Sequence, residues 1–419
     1  MRIICINGAY PFYIKKFYEN HKNLYKGPYA EQRAVLDYDA FAWADFWSHA
    51  LSQLGYEVME VTSNIEPLQK AWAAEHLVRV QEQTWKQEII LAQIKQFRPA
   101  VFFNADYLLF RYPELMAIKA ACPSLRCALV FCNSPGWLFN NSLHNGPDFF
   151  QGYDVVLSGS PLYLEEFRRR GHQAEQLMHA FDPRVLDRIN RKQEPFINFS
   201  FIGQIIRLPN FHVQREQVLQ ELVRQVDLEI FSPSFEVTWL DEASAFSRYL
   251  LYTFMNFLKS HHLPSELLKK IPILGRALSW PEISPRLVAP ALKGHLKPPV
   301  FGLDMFQTLW NSKVSLNIDA DNDPRFAINL RLFEATGVGT CLVTDWKENL
   351  PQLFALDTEV VTYKSAAECL EKVRWLLDHP RERQAIAAAG QARVLREHTF
   401  AHRAVKLDGI IKKVLGDKN

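Results

Sequence analysis

A chain of 419 residues with 48% hydrophobic and 22% charged residues is too long for one ordinary core and fits two domains of roughly 200 residues each. Its formal net charge of +2 gives no footing for nucleic acid or another polyanion as partner. The six cysteines form no Cys-x-x-Cys pair and several lie in apolar runs, so they read as buried reduced thiols in a cytoplasmic protein rather than as disulfides or zinc ligands.

In chain order, MRIICINGAY carries one basic residue and an apolar run too short for a secretory segment, and predicts a first strand over Arg2 to Asn7. Further strands are expected at Tyr56 to Val61, Ala100 to Asn104, Cys127 to Cys132 and Asp154 to Leu157, with helical patterns between them. Their continuous apolar character implies a parallel sheet covered on both faces. The stretch FAWADFWSHALSQLG predicts one helix from Phe41, stopped at Gly55. Its Trp43, Phe46 and Trp47, with Trp72 further on, belong to the core by spacing, though part of the set could stack on a sugar. Leu68 to Phe97 reads as one long amphipathic stretch.

The alternation restarts near residue 190. Strands are predicted at Ile197 to Gln204, Leu228 to Phe231, Val314 to Ile318, Thr340 to Thr344 and Val360 to Thr362. Helices are predicted at Val213 to Gln225, Ser365 to Leu377, Arg381 to Arg396 and around Phe400 to Leu415. Residues 233–299 depart from this rhythm, with an aromatic helix, His261-His262 and a Pro-rich tail, and are expected to be an insertion. It is either a flap packed on its own domain or a surface that lies on a membrane or clasps an acceptor. Its most apolar run, Ala245 to Leu258, is broken by Arg248 and falls short of the roughly 20 residues a bilayer requires. The expected domains are therefore 1–188, 189–399 with the insertion, and a closing helix over 400–419.

In doubly wound sheets ligands bind beyond the carboxyl ends of the strands, and in a two-domain chain those ends can face each other. Gly203-Gln204 follows a strand and precedes a helix, so its backbone could approach a phosphate, with Arg207 and Arg215 supplying charge. In NIDADNDPRFAINLRLFEATGVGT a strand runs into an Asp/Asn loop, then Arg325, then a helix starting near Asn329 that suits a diphosphate. Glu334 could reach the hydroxyls of a ribose, or could form an ordinary i,i+3 salt pair with Arg331 on a solvated surface. Asp319, Asp321 and Asp323 could bind a divalent cation, but lack the Gly and downstream Glu of an EF-hand, and no metal is predicted. Asp106 and Asp45 are the candidate general bases; the alternatives are a helix cap and a surface carboxylate. His179, at the domain junction, is structural or catalytic.

Phe333-Glu334-Ala335 followed by Gly337-Val338-Gly339-Thr340 and a strand resembles the second half of the Glu-x7-Glu motif of GT-B glycosyltransferases, most closely the CgeB-like, spore-maturation branch. The segments Tyr153 to Pro183, Phe199 to Glu216 and Pro299 to Asp319 resemble that branch in order, so the likeness covers about residues 100 to 400. It implies an α/β protein of two Rossmann-like domains across a cleft, taking a UDP- or GDP-sugar donor and a saccharide, lipid-linked or protein acceptor. It further implies metal-independent and retaining transfer in surface-glycan synthesis, in the cytoplasm or peripherally at the inner face of the membrane. By the resemblance Glu334 binds the donor ribose, Arg331 and the helix start near Asn329 the diphosphate, and Gly203, Gln204 and Arg207 the phosphates from the opposite loop. Val300, Phe301 and Gly302 take the base, and the last helix crosses back to the first domain.

Two positions depart from that pattern. Eight residues before Glu334 stands Phe326 where the motif's first Glu belongs, which passes sugar recognition to Asn322, Asp323 or Arg325. Cys132-Asn133-Ser134-Pro135 occupies the place of a His after the fourth strand, and Asn133 can donate a hydrogen bond but cannot act as a base. Rival readings are a sugar-nucleotide epimerase of the same layout, a non-catalytic relative acting as a binding partner, and a glycoside hydrolase, which would need two carboxylates across one sugar.

Overall fold

The structure, a computed structural model, describes residues 1–133, 149–205, 213–261, 284–319 and 323–417. Two parallel six-stranded sheets carry it. The first holds β1 (Arg2–Asn7), β2 (Glu57–Thr62), β3 (Val101–Asn104), β4 (Cys127–Phe131), β5 (Val155–Ser158) and β6 (Ala174–Gln176), in the order 2-1-3-4-5-6. The second holds β7 (Ile197–Ile202), β8 (Glu229–Phe231), β9 (Leu296–Lys297), β10 (Ser312–Asn317), β11 (Cys341–Asp345) and β12 (Val361–Tyr363), in the order 12-11-10-7-8-9. Strands such as β4, CALVF, are buried along their whole length, which is why they read as unbroken apolar runs. In each sheet the winding reverses once, between β1 and β3 and between β7 and β10, and each reversal opens a crevice at the strand ends.

All six cysteines are free and buried. Trp43, Phe46, Trp47 and Trp72 are core residues, none more than 7% exposed. The aromatic stretch is not one helix, however. Only Phe46–Ser52 is helical, and the preceding turn holds Ala40, Ala42 and Ala44 at positive φ (59°, 56° and 42°). The stretch from Leu68 likewise divides, into helices Glu66–Glu75 and Trp85–Phe97, with Leu77 left-handed between them. Strands β6 and β9 escaped the sequence reading because they are edge strands of three and two residues with polar members.

The last helix, Phe400–Gly416, lies against the first domain. Phe400 packs on Phe46 and Trp47 with ring centroids 5.0 and 5.2 Å apart, and Tyr56 Oη donates to Asp408 Oδ1 at 2.8 Å. At the same junction Gly337 faces the Phe181 ring so closely that a Cβ would overlap it.

In the insertion, helix Trp239–Ser260 buries Ala245 and Met255, and its Glu242 carboxylate accepts from the backbone N–H groups of Leu287 and Val288 (2.9 and 3.3 Å). The other side leaves Trp239, Phe246, Leu250, Phe254 and Phe257 exposed, so the helix is a flap on one face only. His262 lies outside the described residues. No described helix is long and apolar enough to cross a membrane.

Candidate functional site

The two crevices face each other and enclose a cavity of about 540 Å³. From the first domain it is lined by Asn7 and Gly8 after β1, by the turn Phe41-Ala42-Trp43, by Ala105 and Tyr107 after β3, and by Phe131 and Asn133 at the end of β4. The second domain contributes Gly203 and Gln204 after β7, Val300 and Phe301, and Asn329, Leu330, Arg331 and Glu334 at the start of helix Arg331–Val338. His179, from the junction, also lines it, as do Tyr10 of the first domain and Phe231, Pro299 and Met305 of the second.

Arg331 and Glu334 do form an i,i+3 pair, but not on a solvated surface. Arg331 Nη1 donates to Glu334 Oε2 at 2.7 Å, and the two side chains are only 15% and 9% exposed. Burial pushes the Glu334 carboxyl up, and Arg331 offsets only part of that, so the group stays above the ordinary carboxylate range. The helix start is organised by Asn329, whose Oδ1 accepts from Arg331 N at 2.8 Å while its Nδ2 donates to Asn317 Oδ1 at 2.8 Å. Gly339, left-handed at φ 93°, stops the helix.

Opposite, Asn133 Oδ1 accepts from Gly159 N (2.6 Å) and Ser158 Oγ (3.2 Å), which turns its amide group toward His179 Nε2 at 3.0 Å. That network assigns His179 the tautomer with Nε2 unprotonated. Burial and the Arg403 guanidinium push the His179 pKa down to about 4, so the imidazole is neutral at physiological pH.

Several candidates from the sequence sit elsewhere. Asp45 is held by both terminal nitrogens of Arg184 (2.7 and 3.0 Å) and does not line the cavity, because the turn that precedes its helix points Phe41 and Trp43 there instead. Asp106 stands between two lining residues, yet its own Oδ2 is taken by Ser63 Oγ at 2.5 Å and it does not line the cavity. Arg325 pairs with Glu348 at 2.8 Å on the exterior, half-exposed, and so is no part of the wall. Asp323 is fully buried and accepts from Arg325 N, Phe326 N and, across the domains, Ser160 Oγ, which leaves it structural. Asp319 is also buried, and its N–H donates to Asp345 Oδ1 at 3.0 Å.

Gly302 does not line the cavity. With φ 52° it opens helix Gly302–Trp310 so close to Asp39 that a Cβ would overlap the carboxylate, which accepts from Leu303 N at 3.3 Å. Arg215 does not point its charge at a ligand either: its guanidinium donates to the carbonyls of Gln204 (2.9 Å) and Ile318 (2.7 Å) and ties the two crevice loops together. Arg207, Asp321 and Asn322 lie outside the described residues. Among the described residues no three His, Cys, Asp or Glu side chains converge to hold a metal.

The sequence reading missed Asn7, Gly8, Tyr107 and the Phe41 turn. The first three were findable, since they follow β1 and β3, the strands on either side of the first reversal. The turn was not, because three alanines in the left-handed region carry no sequence signal.

The family model described as "Glycosyl transferase-like" matches residues 254–409, a span that includes Arg331 and Glu334. No curated protein matches the chain in sequence. Among solved structures, HepE of Anabaena in complex with UDP-glucose is similar at a TM-score of 0.53 and 11% identity, over 99% of this chain and 100% of that one. Sucrose-phosphate synthase from Thermosynechococcus elongatus is similar at 0.52 and 10%, over the whole of both chains. A glycosyltransferase from Rickettsia africae is similar at 0.51 and 8%, over 99% and 98%. With both parallel sheets and the cleft between them shared along the full chain, the fold is GT-B.

Proposed function

We propose that this protein transfers a sugar from a nucleoside diphosphate donor, a UDP- or GDP-sugar, to an acceptor hydroxyl. The observation that carries the reading is the Arg331–Glu334 pair, buried in the wall of the inter-domain cavity at the point where the second sheet reverses. A carboxylate with one oxygen fixed by an arginine can accept from vicinal ribose hydroxyls, and the guanidinium beside it suits a diphosphate. Val300 and Phe301 line the same side, where a base would stack; Gly203 lines it too, but its N–H donates to the Phe231 carbonyl at 3.1 Å and so is not the phosphate donor the sequence suggested. The family match over this region and the UDP-glucose complex of Anabaena HepE support the same assignment.

Transfer with retention fits the residues best. Inversion needs a general base beside the acceptor, and the one carboxylate among the described lining residues, Glu334, is committed to Arg331. In the retaining course the acceptor oxygen bonds to the anomeric carbon as the bond from that carbon to the phosphate oxygen breaks. The hydroxyl proton passes to the departing phosphate. We assign neutral His179 and Asn133, which are bonded to each other, to the wall beside the sugar, and Arg331 to the growing phosphate charge without a metal. A role in surface-glycan synthesis is drawn from the resemblance to the CgeB-like branch.

The test is a thermal-shift titration with nucleoside diphosphates, followed by product analysis with donor sugars. A ligand at one hundred times its Kd stabilises the fold by roughly 2.7 kcal/mol, an upward shift of several degrees. We expect that shift for UDP or GDP in the wild type and its loss in Glu334→Ala, scored as the ligand-induced difference because the variant's own melting point also falls. An equal shift in both proteins overturns the assignment. Addition of EDTA is expected to leave turnover unchanged.

A further inference from the structure

We infer that the acceptor is an uncharged saccharide, stacked on an aromatic wall that the first domain builds for it. This inference rests on the transferase reading and concerns the half of the cavity that the donor leaves open. On that side Phe41, Trp43, Tyr107 and Phe131 line the cavity, with Asn7 and Asn133 among them as uncharged polar groups. None of the described first-domain residues that line the cavity is Lys, Arg, Asp or Glu, and His179 is held neutral. An acceptor carrying a phosphate or carboxylate would therefore bring its charge out of water against described first-domain groups that carry no cation to balance it. A pyranose meets the wall on its own terms: its axial C–H face packs on rings, and its hydroxyls bond to amide groups.

A second observation marks this wall as built for binding. The turn that delivers Phe41 and Trp43 holds Ala40, Ala42 and Ala44 in the left-handed region, each disfavoured for a residue with a Cβ. The surrounding packing enforces it: Phe41 stacks on Tyr13 with centroids 3.8 Å apart, and Trp43 on Phe103 at 5.2 Å. Strain of this kind persists where the geometry it produces is used. Here the geometry sets Phe41 and the largely buried Trp43 in the cavity wall before any ligand arrives.

The test uses the full chain saturated with UDP or GDP, whichever binds in the titration above. Saturation-transfer NMR is run with methyl glycosides and disaccharides of glucose, galactose, mannose and N-acetylglucosamine, and in parallel with glucose 6-phosphate and glucuronic acid. We expect saturable binding of at least one neutral sugar, strongest on its axial protons, and at least about tenfold weaker binding of both charged sugars. Tyr107→Ala should weaken the neutral sugar by about tenfold and change nucleotide affinity by no more than about twofold. Equal or tighter binding of a charged sugar overturns the inference, as does a panel in which no neutral sugar binds. Failure of the nucleotide to bind is read in the first titration and sinks the transferase reading instead.

Discussion

At the residue scale the charges fall into two kinds. Arg331 and Glu334 are buried together at the cavity, where removing either strands the other in a poorly solvated wall. Glu60 on β2 is buried away from the cavity lining: it accepts from Ser48 N of helix Phe46–Ser52 at 2.5 Å and sits near Arg33. Burial pushes its carboxyl up to about 8, against an unfolded value of about 4.5, so the folded protein holds a proton that the unfolded chain releases. Stability from this group is complete below about pH 4.5 and is lost as pH rises toward 8. Glu60→Gln, which keeps the neutral shape, should match the wild type near pH 4.5 and exceed it by a few kcal/mol at pH 8 in urea denaturation. A variant no more stable than the wild type at pH 8 would show that Glu60 is ionised in the fold and paired with Arg33. His179 acts in the opposite sense, since its pKa of about 4 lies below the unfolded value of about 6.5, and its contribution fades as pH falls between them.

At the scale of elements, what the sequence made legible follows the size of the hydrophobic signal. The long buried strands, the second reversal with Gly203 and the helix of Glu334 could all be read, because continuous apolar runs and a glycine stop have few alternatives. Edge strands β6 and β9 could not, since two or three half-polar residues carry no period. Asp45 illustrates a further limit, for only the fold decides that Arg184, 139 residues away, takes its carboxylate. The Phe41 turn is the plainest case: helix-forming alanines and aromatic residues were read as helix, and tertiary packing overrode that propensity. Its strain is measurable. Ala42→Gly removes a Cβ from a backbone at φ 56°, and should leave the melting temperature unchanged or raise it. The same substitution at Ala243, exposed on helix Trp239–Ser260, should destabilise by about 1 kcal/mol. Equal losses at both sites would mean that the turn is not held in the left-handed region.

For the whole molecule, the cavity exists only while the domains stay closed, and two polar contacts add to the crossing last helix in joining them. One is Ser160 of the first domain donating to Asp323, which also accepts from two backbone N–H groups of its own loop. The other is Asp39 accepting from Leu303 N at the start of helix Gly302–Trp310, where it takes the place of that helix's own cap. The second contact depends on Gly302, since any side chain there would overlap the Asp39 carboxylate and would also have to adopt φ 52°. Gly302→Ala should therefore separate the domains without unfolding either one, because the overlap lies between their surfaces and not in either core. Small-angle scattering would register the opening as a larger radius of gyration, with the cooperative unfolding of each domain retained. Nucleotide binding, whose predicted contacts at Glu334, Arg331 and Phe301 come from one domain, should weaken far less than sugar transfer, which requires the aromatic wall across the gap. A Gly302→Ala protein with unaltered scattering and unaltered transfer would show that Asp39 and Leu303 touch without holding the cleft shut.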